Sequence, residues 1–180
     1  RYVVMSVSSS PSLPAGISVV VPVYNSAAIL PDLVKRLEPV LSATGGPFEL
    51  ILVNDGSRDE SWEVIGQLAA RHSWVRGLCM MRNYGQHNAL LAGIRDARFE
   101  VTITMDDDLQ HPPEELPRLL AKFAEGFDVV YAPPEQEQHG LLRAAHHVDQ
   151  RDPIRKADAD QHLPEVRGRG GMHDGAVTFR

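Results

Sequence analysis

Apolar runs and amphipathic stretches alternate along residues 17–131, and this alternation restricts the possible folds more than any other feature. Five short runs rich in Val, Ile and Leu have the composition of strands covered on both faces. The stretches between them place apolar residues three and four positions apart, which is typical of helices with one buried face. Such an order favours a parallel sheet with right-handed crossovers. We therefore predict an α/β fold with a mostly parallel sheet and helices on both faces.

The individual elements follow from the same pattern. We predict strands over residues 17–23, 48–53, 75–81, 101–105 and 127–131. We predict helices over residues 27–41, 60–72, 88–97 and 114–125. The connecting turns are rich in Gly, Pro, Asn and Asp, residue types that favour turns for known conformational reasons.

The composition divides the chain into three segments. Residues 1–16 are rich in Ser and Pro and lack the features of a signal peptide, so we expect a disordered leader. Residues 17–134 contain all the predicted elements and form the expected domain. Residues 135–180 are polar, and their few large apolar residues show no period. We expect this tail to be irregular or disordered.

Charge and cysteine content exclude several classes of protein. The net charge of −6 argues against a broad nucleic-acid-binding surface. A single cysteine, Cys79, excludes an intramolecular disulfide and a Cys-based zinc cluster. No stretch approaches 18 consecutive apolar residues, so we expect no membrane-spanning segment in this chain.

Three consecutive carboxylates, Asp106, Asp107 and Asp108, follow the fourth predicted strand. Adjacent carboxylates repel one another, which raises their pKa values unless a cation is present. Oxygen ligands of this kind suit Mg²⁺ or Mn²⁺, and such ions commonly bind phosphorylated ligands. Asp106 and Asp108 can both face one ion, and Gln110 can supply a third oxygen. An exposed acidic loop without a ligand is the alternative interpretation.

Polar residues also follow the first three predicted strands. In a parallel sheet the carboxyl ends of the strands meet at one edge, where α/β folds bind their ligands. Asp55 can accept hydrogen bonds from a nucleobase or a ribose, and Arg82 can bind a phosphate. Tyr24 can line a pocket for a base. The alternatives are a helix-capping turn for Asp55, a surface position for Arg82 and a simple turn for Tyr24.

Four segments, in this order and spacing, resemble the inverting family 2 glycosyltransferases of GT-A fold, which is Rossmann-like. They read ISVVVPVYN at 17–25, LVNDGSRD at 52–59, RNYGQHNALLAG at 82–93 and TMDDDLQHPPE at 104–114. The most similar subgroup is the polyprenyl-phosphate glycosyltransferases, which include dolichol-phosphate mannose synthase and the bacterial undecaprenyl-phosphate sugar transferases. The resemblance covers about residues 17–143 and implies that residues 17–134 bind a nucleotide sugar.

The resemblance also implies an activity, namely metal-dependent transfer of a sugar from a nucleotide diphosphate to a polyprenyl phosphate. It makes Asp106 and Asp108 the catalytic residues and, together with Gln110, the ligands of Mg²⁺ or Mn²⁺. The residue types and the resemblance together also indicate which residues would bind the donor, the nucleotide sugar. The donor-binding candidates are Pro22, Tyr24, Asn25, Val53, Asp55, Arg82 and Asp107.

The remaining expectations concern the partners. The resemblance to the bacterial branch favours a UDP-sugar over a GDP-sugar and implies peripheral attachment to the cytoplasmic face of the membrane. Arg143 is the candidate contact for the acceptor phosphate. Ser26 and Asn54 stand where many relatives have Glu and Asp. Beyond residue 143 the resemblance stops, as if the usual C-terminal part were truncated or replaced.

Two alternatives accompany this interpretation. The first is a catalytically impaired remnant that binds a nucleotide sugar but lacks the acceptor region. The second is a phosphatase of the haloacid dehalogenase type, in which a strand also ends in Asp-x-Asp and the first Asp is a nucleophile. Such phosphatases usually have Thr or Val where this chain has Gln110, and their Asp pair follows the first strand.

Overall fold

The computed structural model describes residues 2–6, 15–110, 112–132, 143–145 and 176–179. The strands are β1 (Tyr2–Ser6), β2 (Ile17–Val23), β3 (Phe48–Asn54), β4 (Val75–Met80), β5 (Val101–Thr104), β6 (Val129–Ala132), β7 (Arg143–Ala145) and β8 (Ala176–Phe179). The helices are α1 (Leu30–Ser42), α2 (Ser61–Arg71), α3 (Gln86–Asp96) and α4 (Leu116–Phe123). A 3-10 turn at Pro113–Glu115 precedes α4.

The strands form one sheet in the order β7-β6-β1-β5-β2-β3-β4-β8. Strand β2 pairs in parallel with β3 and β5, and β3 pairs in parallel with β4. Strand β6 points in the same direction, because β1 is antiparallel to both β5 and β6. Strands β7 and β8 are antiparallel to their neighbours at the two ends. The predicted α/β class with a mostly parallel sheet is confirmed.

Helices cover both faces of the sheet. Successive residues of a strand point to opposite faces, so each central strand contributes side chains to two cores. On one face, Val19 and Leu52 pack in a core with apolar residues of α1, α2 and α4. On the other face, Val20, Ile51 and Val53 pack against α3. The continuous apolar runs of β2 and β3 are therefore explained by burial on both sides.

Helix α3 lies unusually close to the sheet at Gly93. A Cβ atom at this position would lie 2.3 Å from Val20 Cγ1 and 2.9 Å from Val53 Cγ2. Only a residue without a side chain allows this approach, and the contact fixes α3 relative to β2 and β3. The first turn of α3 is thereby held at the carboxyl ends of these strands.

The two ends of the chain differ from the sequence-based expectations. Tyr2–Ser6, expected to belong to a disordered leader, forms β1 between β5 and β6. Tyr2 and Val4 alternate with less buried residues and are 1% and 0% exposed, so one side of β1 joins the core. Strands β7 and β8 lie within residues 135–180, where the sequence predicted an irregular or disordered tail. Residues 7–14 and most of 135–180 lie outside the described residues, and the domain boundaries stay a prediction.

A buried network of charges joins the amino ends of the parallel strands, opposite to the acidic segment. Glu49 of β3 is 4% exposed and accepts hydrogen bonds of 2.8 Å from Ser18 Oγ, Arg76 Nη1 and the Arg98 backbone N–H. Arg76, which is 7% exposed, also donates to the Asp96 side chain. The network therefore connects β2, β3 and β4 with the segment that follows α3.

None of the helices among the described residues is long and apolar enough to cross a membrane.

Candidate functional site

A cleft of about 370 Å³ opens where β2, β3 and β5 end. These strands are parallel neighbours, so their carboxyl ends and the loops that follow meet at one edge of the sheet. Ligands bind at this edge in open α/β folds. The cleft is lined by Pro22, Val23, Tyr24, Asp55, Asn83, Gly85, Gln86, Asp106, Asp107 and Asp108.

Hydrogen bonds hold the acidic segment after β5. Asp106 Oδ1 accepts a 2.6 Å bond from Gln86 Nε2, and Asp108 Oδ1 accepts a 3.0 Å bond from the Gln110 backbone N–H. Leu109 has a φ of 55°, a left-handed turn that redirects the chain, and its side chain packs against the core. The three aspartates therefore remain at the cleft while the next residue returns to the apolar interior.

Negative charge is concentrated in this segment. Burial raises the pKa of Asp107, and the nearby carboxylates of Asp108 and Asp106 raise it further, while a hydrogen bond from Ser26 acts in the opposite direction. A cation in the cleft would relieve the repulsion between these groups. The side chains of this segment offer oxygen atoms as ligands, which is the ligand type that Mg²⁺ and Mn²⁺ prefer. The residues present therefore fit a divalent cation.

Asp55 holds the loop between β4 and α3. Its side chain is 3% exposed, and its two carboxylate oxygens each accept a 2.8 Å bond from a backbone N–H, one of Tyr84 and one of Gly85. The loop approaches so closely that a Cβ atom on Gly56 would lie 2.5 Å from the Asn83 nitrogen. Gly56 also has a φ of +68°, which favours glycine. Asp55 thus shapes one wall of the cleft through its partners.

Replacing Asp55 by Asn tests this role. The Asn side chain offers one acceptor oxygen instead of two, so it can keep only one of the bonds from the Tyr84 and Gly85 amides, of which the Gly85 amide also donates to Asn83 Oδ1 at 3.0 Å. We expect the free energy of unfolding to fall by about 1–3 kcal/mol. Urea denaturation measures this loss, and hydrogen exchange should become faster at these two amides. The control Asp32→Asn, on the exposed first turn of α1, should cost less than about 1 kcal/mol; unchanged exchange in Asp55→Asn would contradict the role.

Two donor-binding candidates have other contacts in the structure. Asn25, with a φ of 56°, joins two loops: its backbone N–H donates to Ser57 Oγ at 3.0 Å, and its Oδ1 accepts from the Arg58 backbone N–H at 2.8 Å. Val53 is 0% exposed, and its side chain packs under α3. Neither side chain lines the cleft, so their contribution to it is the placement of neighbouring residues.

Arg82 and Gln110 also lie outside the lining. Arg82 is exposed, with its guanidinium carbon 4.9 Å from the centroid of the Tyr84 ring. The Gln110 side chain is exposed beside the cleft. The Arg143 backbone pairs with Tyr131 at the carboxyl end of β6, on the same sheet edge as the cleft but three strands from β5.

In the part of the chain that the structure describes, no group of three His, Cys, Asp or Glu side chains is arranged to hold a metal.

The sequence did not single out four of the lining residues, namely Val23, Asn83, Gly85 and Gln86. Asn83 and Gly85 belong to the polar segment between β4 and α3, and Gln86 is the first residue of α3; the position of this segment after a strand was visible in the sequence. Which of its side chains would reach the acidic segment was not visible, because this depends on how closely α3 approaches β2 and β3.

Comparison with known proteins identifies the family. Residues 18–173 match the model of glycosyl transferase family 2. Relatives named undecaprenyl-phosphate 4-deoxy-4-formamido-L-arabinose transferase are 50% identical over 128 residues in Pseudomonas aeruginosa strain PAO1 and 46% identical in Shewanella sediminis. Each alignment covers 71% of this chain but only 38% and 39% of the relative. The chain therefore spans less than two fifths of the length of these relatives.

Solved structures resemble the chain more distantly. Residues 1–349 of Staphylococcus aureus TarS give a TM-score of 0.48 at 23% identity, with 62% of this chain and 33% of that chain covered. The mannosyltransferase PcManGT from Pyrobaculum calidifontis, solved with GDP-Man and Mn²⁺, gives 0.47 at 21% identity, with 54% and 29% covered.

The family model decides between the two enzyme classes considered above. Its match begins at the second residue of β2 and covers the motif segments through the acidic segment, apart from Ile17. It gives no support to the phosphatase alternative, and it confirms the family that the four segments predicted. The chain belongs to glycosyl transferase family 2.

Proposed function

We propose that the chain is the donor-binding part of a metal-dependent, inverting glycosyltransferase. In this proposal a sugar passes from a nucleotide diphosphate to a polyprenyl phosphate. The names of relatives that are 46–50% identical over 128 residues support undecaprenyl phosphate as the acceptor. The observation that carries the proposal is the cleft itself, in which Tyr24 and Asp55 lie with three aspartates at the carboxyl ends of parallel strands.

Asp106 and Asp108 would hold Mg²⁺ or Mn²⁺, with the Gln110 side chain as the third protein ligand. Both carboxylates line the cleft, and Gln110 lies directly beside them with its backbone bonded to Asp108. When bound, such an ion acts as a Lewis acid that stabilises the negative charge developing on the departing nucleotide diphosphate. These two aspartates are therefore the proposed catalytic residues.

The other lining residues would bind the nucleotide. Tyr24, which is 45% exposed at the cleft, offers an aromatic face on which a base can stack. Pro22 also lines the cleft, and Asp55 fixes the loop that carries Asn83 and Gly85. We propose that Asp107 contacts the sugar or ribose. Asn25, Val53 and Arg82 would contribute indirectly, by supporting the residues that line the cleft.

The acceptor side requires little acid–base chemistry from the protein. A polyprenyl phosphate is already ionised near neutral pH, so its oxygen can attack the sugar carbon without a dedicated general base. Arg143 is our candidate contact for this phosphate, and its backbone lies on the same edge of the sheet as the cleft. A lipid acceptor places the reaction at a membrane surface, and we propose the cytoplasmic face.

Calorimetric titration with UDP and with GDP, each with and without MnCl₂, tests the donor part of the proposal. We expect binding that requires Mn²⁺ and is stronger for UDP. No binding of either nucleotide in the presence of Mn²⁺ would refute the proposal. Stronger binding of GDP would leave the reaction class unchanged and would reverse only the proposed nucleotide preference.

A donor-binding remnant without transferase activity is the second candidate. The aligned segment contains the donor cleft and covers 38–39% of the length of the curated relatives, so nucleotide binding and sugar transfer are separate properties of this segment. A transfer assay with undecaprenyl phosphate and a UDP-sugar separates the two candidates. Product formation supports the transferase, whereas Mn²⁺-dependent nucleotide binding without any product supports the remnant.

A further inference from the structure

Gln86 makes a contact that neither the donor nor the metal assignment uses. It is the first residue of α3 and lines the cleft together with Asp106. Its Nε2 donates a hydrogen bond of 2.6 Å to Asp106 Oδ1. This bond connects the beginning of a helix that covers one face of the sheet with the acidic segment that follows β5.

The backbone of Gln86 is held from two sides. The preceding Gly85, with a φ of 90°, donates its N–H to Asp55 Oδ2 at 2.8 Å. Two turns further along α3, Gly93 lies against Val20 and Val53 at a distance that leaves no room for a Cβ atom. A donor on such a fixed backbone loses less conformational entropy when it bonds than one on a mobile loop. The Gln86 amide can therefore restrain the Asp106 carboxylate effectively.

The chemistry of the amide suits a carboxylate that must bind a cation. Glutamine is a neutral donor, so it orients the Asp106 carboxylate and leaves its negative charge in place. A lysine or arginine at this position would instead pair with the carboxylate and oppose a divalent cation by direct repulsion. The described residues that line the cleft include no lysine or arginine.

We propose that Gln86 is a positioning residue that holds Asp106 in the orientation needed for the divalent cation and the diphosphate of the donor. The inference rests on the proposed function, since it concerns the same cleft. Residues that hydrogen-bond to metal ligands typically contribute about 10–100-fold to metal affinity. We expect Gln86→Met, which keeps the size of the side chain and removes the donor, to weaken Mn²⁺ binding by about tenfold or more.

The experiment measures free Mn²⁺ by its electron paramagnetic resonance signal during titration of the protein with MnCl₂ in the presence of UDP. Wild type, Gln86→Met, Gln86→Lys and the control Gln67→Met are compared, together with the melting temperature of each metal-free protein. Gln67 is an exposed residue of α2 and does not line the cleft, so the control makes the same chemical change elsewhere.

The two Gln86 variants should separate positioning from general damage. Gln86→Met should lose Mn²⁺ affinity while the metal-free protein melts close to the wild-type temperature. Gln86→Lys should melt at the wild-type temperature or above, because its ammonium pairs with Asp106, yet it should bind Mn²⁺ more weakly than Gln86→Met. Gln67→Met should bind Mn²⁺ as the wild type does.

Different outcomes would overturn different statements. Equal Mn²⁺ affinity in Gln86→Met and wild type would refute the positioning role and leave the proposed function intact. A loss of affinity accompanied by a large fall in the metal-free melting temperature, or an equal loss in Gln67→Met, would also refute it. Failure of the wild type to bind Mn²⁺ with either UDP or GDP would refute the positioning role and the proposed function together.

Discussion

Asp106→Asn should lower the rate of the proposed sugar transfer by about 100–1,000-fold, because charge stabilisation by the proposed metal ion would contribute several kcal/mol and each 1.36 kcal/mol changes a rate about tenfold. The substitution keeps the shape of the side chain and its place beside Gln86, but it removes the negative charge that would bind the cation. Asp108→Asn should have a similar effect, since both carboxylates line the same cleft. Initial rates of transfer from a UDP-sugar to undecaprenyl phosphate, at several concentrations of Mn²⁺, give the measurement.

The same variants have a binding readout that does not require turnover. Calorimetry should show that Asp106→Asn loses the Mn²⁺-dependent part of nucleotide binding, and its metal-free melting temperature should not fall, because a repelling charge is removed. Asp32→Asn serves as the matched control: Asp32 is exposed on α1 and is not part of the cleft lining. Transfer at the wild-type rate by Asp106→Asn would show that the acidic segment is not the catalytic centre.

Glu49→Gln should lower the free energy of unfolding by about 3 kcal/mol, because Arg76 loses the buried one of its two carboxylate partners and keeps only the more exposed Asp96. Glu49 and Arg76 are 4% and 7% exposed, so water cannot replace the lost ion pair. The Gln amide also presents a donor group where the carboxylate accepted bonds from Ser18 and Arg76. Such a loss is a large part of the stability of an ordinary domain. Urea denaturation followed by circular dichroism measures it.

An exposed ion pair in the same protein provides the matched comparison. Arg36 and Glu114 form a two-pronged hydrogen-bonded pair, but their side chains are 37% and 55% exposed. Glu114→Gln should therefore cost much less stability than Glu49→Gln, because water solvates both charges of an exposed pair. In addition, Glu49→Gln combined with Arg76→Met should be less destabilised than Glu49→Gln alone, because the buried arginine charge that has lost one of its two partners is then absent. Equal losses in Glu49→Gln and Glu114→Gln would contradict the assignment of a buried charge network.

Local pattern was sufficient for the core of the fold. The five predicted strands and four predicted helices are all present, because each has a continuous or periodic apolar pattern and is bounded by turn residues. The N-terminal strand was not predicted. Tyr2–Ser6 is short and stands next to a Ser- and Pro-rich stretch, and it becomes a strand because the edges of β5 and β6 supply hydrogen-bond partners on both sides. Its structure therefore depends on residues about a hundred positions away.

The candidate site divides in the same way. The three aspartates, Tyr24 and Asp55 could be found from the sequence, since polar residues after buried strands of a parallel sheet share one edge. The immediate partners of Asp55 could not be found. Its carboxylate accepts the amides of Tyr84 and Gly85, an arrangement that depends on the close approach of two loops at Gly56.

The sequence by itself determined the α/β class, the family and the edge of the sheet at which the acidic segment lies. These properties follow from local periodicity and from the order of short motifs, which are written along the chain. Only the tertiary structure decided that Gln86 reaches Asp106, that Asn25 and Val53 stand outside the cleft, and that Glu49 pairs with Arg76. The hydrogen bonds among these contacts join residues 20–33 positions apart, and their distances are set by how helices and loops pack on the sheet.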